Sequence, residues 1–317
     1  MRFRSVWLRR AGLAALLATA LAVAGCGSHV FPLSRAEQRY TKELVAADAP
    51  ANALGAELPV PVSFFTASIA EYRRYAERVA AELGPEVQAI RAALAGDERS
   101  AAQSAWDVAF AHYLSLGAVY GEFGQLNESI DGLPGGLPKG VEDPRFTGLH
   151  RLEYGLWTGQ PLRGLQPVAA QLQADVRQLA HVLPAVTLPA ADYITRAHEI
   201  LEDAERDFLS GASVPWSGQG VLASQASLSA TEVVIHTLGS LIGQPLYSNI
   251  TGRLAVLQQV FNSIRDSHAG RIPTLTGLRP LERERLDGAT AGALQVLQAV
   301  PVYLDTNAVR PIPSLPR

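Results

Sequence analysis

Phe146-Thr147-Gly148-Leu149-His150-Arg151-Leu152-Glu153-Tyr154-Gly155-Leu156-Trp157 is the stretch on which the reading of this chain turns. Leu149, Leu152 and Leu156 recur at helical spacing, and at about 100° per residue His150, Glu153, Tyr154 and Trp157 form the neighbouring stripe. The leucines are expected to face a core. That places an imidazole and a carboxylate one turn apart at the half-shielded margin of the core. Two such groups can share a metal ion or bond each other, and the spacing alone leaves both readings open.

Outward from this helix the same periodicity persists. A loop over 132–144, rich in glycine and proline, precedes it. Tyr72, Tyr75, Val79 and Leu83 mark an upstream helix, and Pro85 is expected to start a second stretch through Ile90 and Leu94. Ser100 is placed to cap the helix carrying Trp106, Phe110, Tyr113, Gly117 and Tyr120. Downstream, amphipathic segments cover 165–183 and 190–209, a polar loop follows over 210–225, and helices are expected over about 228–242, 247–267 and 282–304. No stretch alternates with period two long enough to be a strand, so the expected fold is all-α, built as helical bundles.

The first residues address the compartment. Arg2, Arg4, Arg9 and Arg10 precede an apolar run over 11–23, and Val23-Ala24-Gly25-Cys26 sets small residues ahead of a cysteine. This pattern reads as a signal peptide over 1–25, with Cys26 as the lipidated residue of a membrane-anchored, extracytoplasmic lipoprotein. The run is shorter than the ~20 residues a membrane-spanning helix needs. Residues 26–62, with Pro50, Pro59 and Pro61, read as a tether leading to a helical domain over 63–317. Cys26 is the single cysteine, so no internal disulfide can form. A net charge of −3 gives no basic surface of the kind nucleic-acid binding requires.

Taken together, these segments resemble the EfeO/imelysin-like family of bacterial exported iron-uptake proteins. The Phe146–Trp157 stretch is similar to the family's Gly-x-His-x-x-Glu signature. Tyr72-x-x-Tyr75 with Gly96-Asp97, Phe123-Gly124 through Ile130-Asp131, and Arg196-Ala-His-Glu-Ile-Leu-Glu202 add support. The resemblance implies two packed four-helix bundles with the signature helix near the groove between them. It also implies a periplasmic or lipid-anchored protein that binds iron, as Fe2+ or Fe3+, or another divalent metal, for a membrane iron permease and a haem-type peroxidase. Residues 27–62 are too short for the cupredoxin-like domain that some members carry.

The resemblance further implies a ligand set of His150, Glu153 and Asp131, with two glutamates on an earlier helix. Counting back from Asp131, those two positions hold Leu114 and Gly117, so both carboxylates are missing. Glu122 and Asp107, with Glu128 just before Asp131, are the candidates for further donors. Without the resemblance, Asp131 before Gly132 reads as an ordinary turn residue. His198 with Glu202 reads as a solvated acidic face or a contact between bundles, and His112 and His236 read as core or boundary histidines.

Three functions compete on these residues. The first is an iron-capturing lipoprotein that hands its cargo to a transporter. The second is a family member with weakened or lost metal binding that serves as a docking or ligand-binding component. The third, a metallopeptidase, is disfavoured because Tyr154 follows Glu153 where the inverted zinc motif His-x-x-Glu-His needs histidine.

Overall fold

A computed structural model of the chain describes residues 60–304. The signal-peptide segment, Cys26, most of the tether and a short helix expected over 34–46 lie outside the described residues. Among the described residues every regular element is helical. After a 3-10 turn at Val62–Phe65, the long helix α1 spans Thr66–Ala95 and α2 spans Arg99–Leu114. Short helix α3 covers Gln125–Asp131, α4 covers Gly148–Trp157 and α5 covers Leu162–Val182. Helix α6 runs Ala190–Asp203 into a π-helical turn at Ala204–Leu209. Helices α7 (Gly220–Leu238), α8 (Gln244–Ser267), α9 (Pro280–Leu297) and α10 (Ala299–Tyr303) complete the order.

Helices α1, α2, α4 and α5 pack as one bundle and α6, α7, α8 and α9 as a second. The two meet where α7 lies against α1 and α2. Tyr72, Ala76, Val79, Leu83, Val87, Ile90 and Leu94 form one buried stripe along α1, at the three- and four-residue steps that a helix brings onto one face. That continuity explains why Pro85 does not end the helix as expected. Proline removes one intrahelical bond, and the residue whose carbonyl loses its partner, Ala81, lies on the exposed side where water can serve it. The apolar stripe on the opposite side is uninterrupted.

Helix α7 begins eight residues earlier than its expected start at 228. Ser224, from the expected loop, and Ser227 and Thr231 beyond it spend their hydroxyls inside the helix. Ser224 donates to Gly220 O, Ser227 to Ala223 O and Thr231 to Ser227 O. Such back-bonding lets serine and threonine sit buried in a helix that packs closely on its neighbours. At the other end, the single helix expected over 282–304 is two, broken at Gln298 ahead of Pro301.

Candidate metal site

Helix α4 is held at both ends by side chains of α2. Trp106 Nε1 donates to Leu149 O at 2.8 Å near its start, and Arg99 Nη1 donates to Leu156 O at 2.8 Å near its end. At Gly148 the backbone is left-handed (φ 75°), and a Cβ there would lie 2.2 Å from Ile130 O. Only glycine permits this approach. It seats the first turn of α4 on the last turn of α3 and so brings His150 beside Asp131.

His150 and Glu153 are fully buried, not half-shielded, while Tyr154 and Trp157 on the same stripe stay partly exposed. His150 is 2% exposed and Glu153 0%. The loop over 210–219 covers what the leucine face leaves open, with Trp216 packed on Phe146 and Tyr154. His150 stands between two carboxylates. Its Nδ1 lies 2.8 Å from Glu153 Oε2, and its Nε2 lies 3.2 Å from Asp131 Oδ1. Burial pushes the imidazole toward its neutral form, but Asp131 and Glu153 outweigh it and hold the pKa at about 9.

The two carboxylates are used differently. Glu153 Oε1 accepts from Ser217 N at 2.9 Å, Ser217 Oγ at 2.7 Å and Trp216 N at 3.3 Å. With His150 on its other oxygen, Glu153 is saturated, and it does not line the adjoining cavity. Asp131 Oδ2 accepts from the Tyr120 hydroxyl at 2.8 Å, and the negative charge of Asp131 keeps that phenol protonated. Asp131 Oδ1 is buried and receives no aligned hydrogen bond. Asp131 and His150 both line a cavity of about 100 Å3.

That arrangement fits a metal ion. Two donors about 2.1 Å from an ion at a right angle stand about 3 Å apart, close to the observed 3.2 Å. Glu153 then acts through His150, fixing the ring with Nε2 toward Asp131, as carboxylates behind metal-bound histidines commonly do. Among the described residues no group of three or more His, Asp, Glu or Cys side chains is arranged to hold an ion. At most two donors, His150 Nε2 and Asp131 Oδ1, are therefore available to an ion here.

The other sequence candidates fall elsewhere. Glu122 lies on a shallow groove with Phe123, Gln125 and Gln178, apart from this cavity. Asp107 Oδ2 accepts from Gln219 Nε2 at 3.2 Å, anchoring the same loop that grips Glu153, and does not line the cavity either. Leu114 and Gly117 do line it. Leu114 closes α2, whereas Gly117 sits beyond the helix with φ 45°, where a Cβ would lie 2.6 Å from the Ala230 Cβ. A side chain at 117 is excluded by α7. His112 pairs with Glu86, and His198 with Glu202 at 3.5 Å. Sequence reading passed over Tyr120 and Ser217 as partners of the site. A hydroxyl eleven residues before Asp131 and one sixty-four residues after Glu153 carry no local pattern.

Burial pushes the Asp107 carboxyl up to about 7, against the Gln219 bond and with help from the Glu153 charge. The folded state thus keeps a proton that the unfolded chain releases near pH 4. This stabilisation is complete below pH 4 and is lost as pH rises through about 7, by at most about 1.4 kcal/mol per pH unit. His150 adds a second loss between about pH 6.5 and 9, with the same sign. Melting temperatures should therefore fall from pH 5 to pH 9. In Asp107→Asn the part of that fall below pH 7 should disappear.

A family model described as Imelysin matches residues 68–236, more than half of the chain. A protein of Escherichia coli (strain K12) named iron uptake system component EfeO is 23% identical over 171 residues, covering 54% of this chain and 46% of that protein. Proteins of the same name from Shigella flexneri and Shigella boydii serotype 4 (strain Sb227) match with the same figures. The chain spans about half the length of the curated relatives it matches. The matched span takes in the first bundle and helices α6 and α7 of the second, and carries the Gly148-x-His150-x-x-Glu153 helix, Asp131 and the covering loop; the chain belongs to the imelysin family.

Proposed function

We propose that this protein is an extracytoplasmic metal-binding component of an iron-uptake system, which takes up iron at His150 and Asp131 and passes it to a membrane transporter. The observation that carries the reading is the pair His150 Nε2 and Asp131 Oδ1, 3.2 Å apart at the buried end of a cavity, with the ring fixed from behind by a saturated Glu153. An incoming ion takes the place of the Nε2 proton. The printed name of the Escherichia coli relative, iron uptake system component, supports iron as the cargo. A lipid on Cys26 would hold the protein at the membrane, beside the permease and haem-type peroxidase that the sequence resemblance implies. Peptidase chemistry is disfavoured, because Glu153 has both oxygens engaged and cannot serve as a free base.

One observation favours the second reading, a docking component with weak metal binding. Leu114 and Gly117 present no donor to the cavity, leaving two donors where an oxygen-loving ion prefers four to six. Calorimetric titration of the purified protein with Fe(II) under anaerobic conditions separates the two. Micromolar or tighter binding that is lost in His150→Ala supports capture of iron, whereas no binding, with a melting temperature unmoved by metal, supports docking. Leu114→Glu probes the same point in the opposite direction. Leu114 is nearly buried and lines the cavity, so the new carboxylate is expected to tighten Fe(II) binding at least tenfold, about 1.4 kcal/mol. Gly117→Glu should instead unfold the local turn.

A further inference from the structure

Asp107 and Gln219 meet between helix α2 and the loop that covers His150 and Glu153, and each carries an oxygen without a partner. Gln219 Nε2 donates to Asp107 Oδ2 at 3.2 Å. Asp107 Oδ1 and Gln219 Oε1 are both shut off from water and receive no hydrogen bond. An ionised carboxylate can only accept, so no rotation of the amide gives its oxygen a donor from Asp107. One proton on the carboxyl changes this. The acid can then donate to the amide oxygen while the amide nitrogen donates back. Buried polar atoms are rarely left unpaired, and a single proton here satisfies two of them.

The surroundings favour the neutral acid. Glu153, from α4, is the charge that acts on Asp107, and it is negative. The loop and the first turns of α7 hold no ionisable side chain from 210 to 225, and α2 holds none besides Asp107 between 103 and 111. Burial, aided by Glu153, keeps the carboxyl at about 7 although the Gln219 bond pulls the other way.

The pair also ends a chain of bonds. Gln219 N donates to Ser217 Oγ at 3.3 Å, Ser217 Oγ donates to Glu153 Oε1 at 2.7 Å, and Glu153 Oε2 lies 2.8 Å from His150 Nδ1. On its other side the loop is tied to the segment between α8 and α9, through Leu275 N to Gly218 O at 2.9 Å. Asp107 ties it to the first bundle.

We propose that Asp107 is a neutral acid in the folded protein, and that its proton, held in a two-bond pair with Gln219, latches the loop over 210–219 onto the first bundle. Closing the latch at neutral pH takes up one proton from water, and opening returns it. When the latch opens, Ser217 leaves Glu153, and Glu153 loses the donors that fix it behind His150. Asp107 is thus a positioning residue that acts through Gln219, Ser217 and Glu153. The proposal stands whether or not a metal binds at His150.

The latched acid keeps its proton up to about pH 7, whereas a solvated one releases it near pH 4. The opening equilibrium therefore rises about tenfold per pH unit across that interval and levels off above it. Hydrogen exchange of the full chain reads this at Trp216 and Ser217, whose N–H groups bond Glu153, once the intrinsic pH dependence of exchange is divided out. From pH 5 to pH 8 their protection should fall by up to about 100-fold. His150 keeps its proton to about 9 and stays charged over this range. In Asp107→Asn the new amide supplies the donor that the acid proton supplied, so protection should stay high and flat with pH. In Asp107→Ala it should be low and flat. An infrared difference spectrum between pH 5 and pH 8 should show a carboxylic-acid carbonyl band that Asp107→Asn lacks.

Protection at these amides that ignores pH, or that changes equally in Asp107→Asn, overturns the latch. So does Asp107→Asn protection as low at pH 5 as that of Asp107→Ala, which denies the two-bond pair. Circular dichroism and protection in α1 establish that each variant is folded. Should Asp107→Ala unfold, Gln219→Ala, at a half-buried position, takes its place, and it should lower the protection at pH 5; unchanged protection there also overturns the latch.

Discussion

Glu153→Ala is expected to cost the fold about 3–5 kcal/mol, the loss typical of removing one partner of a buried ion pair. The carboxylate is 0% exposed and ties helix α4 to the loop over 210–219. Without it His150 loses the acceptor at Nδ1, and Ser217 N–H, Ser217 Oγ and Trp216 N–H lose theirs. Each buried donor left unpaired costs about 1–3 kcal/mol. The loop over 210–219 should then detach, because its remaining side-chain hydrogen bond to the first bundle is Gln219 to Asp107. Urea denaturation measures the loss. Amide exchange at Ser217 and Trp216 should rise with it, while α8 keeps its protection. Glu153→Gln retains an acceptor for Ser217 and is expected to cost less than half as much.

His150→Ala carries the largest expected effect on binding. It removes one of two donors, so Fe(II) affinity should fall at least about 100-fold, beyond what the loss of an orienting group produces. Asp131→Asn keeps the shape but loses the charge that compensates the ion, and it should fall by a similar factor. Glu153→Gln is the informative intermediate. Because Glu153 touches the ring and not the ion, its loss should weaken binding by about 10–100-fold without abolishing it. A direct ligand in the role of Glu153 would instead match His150→Ala. The ranking of the three variants therefore reports which carboxylate meets the ion.

How far the sequence reveals this arrangement differs between helix and site. The three- and four-residue steps of buried leucines on α4, and of Tyr72 to Leu94 on α1, reflect burial along a single face, so helix type was legible. Continuity through Pro85 was not, because it depends on which side of α1 faces water. The start of α7 was obscured because serine and threonine look like loop residues until their hydroxyls are seen to bond the preceding turn. Within the site, His150 and Glu153 share a helix and were legible as a pair. Their division of labour was not, since it is fixed by Ser217 and Trp216 from a loop more than sixty residues away. Asp131 reads locally as a turn residue, and only the close seat of Gly148 on Ile130 turns it toward the imidazole. The π-helical turn that carries Asp207 to the cavity wall leaves no trace in residue spacing.

The most direct measurement is a crystal of the protein grown or soaked with Fe(II) under anaerobic conditions, with diffraction recorded on both sides of the iron absorption edge. The account predicts an anomalous peak in the cavity within about 2.3 Å of both His150 Nε2 and Asp131 Oδ1, with Glu153 still bound to Ser217 behind the ring. An anomalous peak bonded to Glu153 instead, or none in this cavity at millimolar Fe(II), would contradict it.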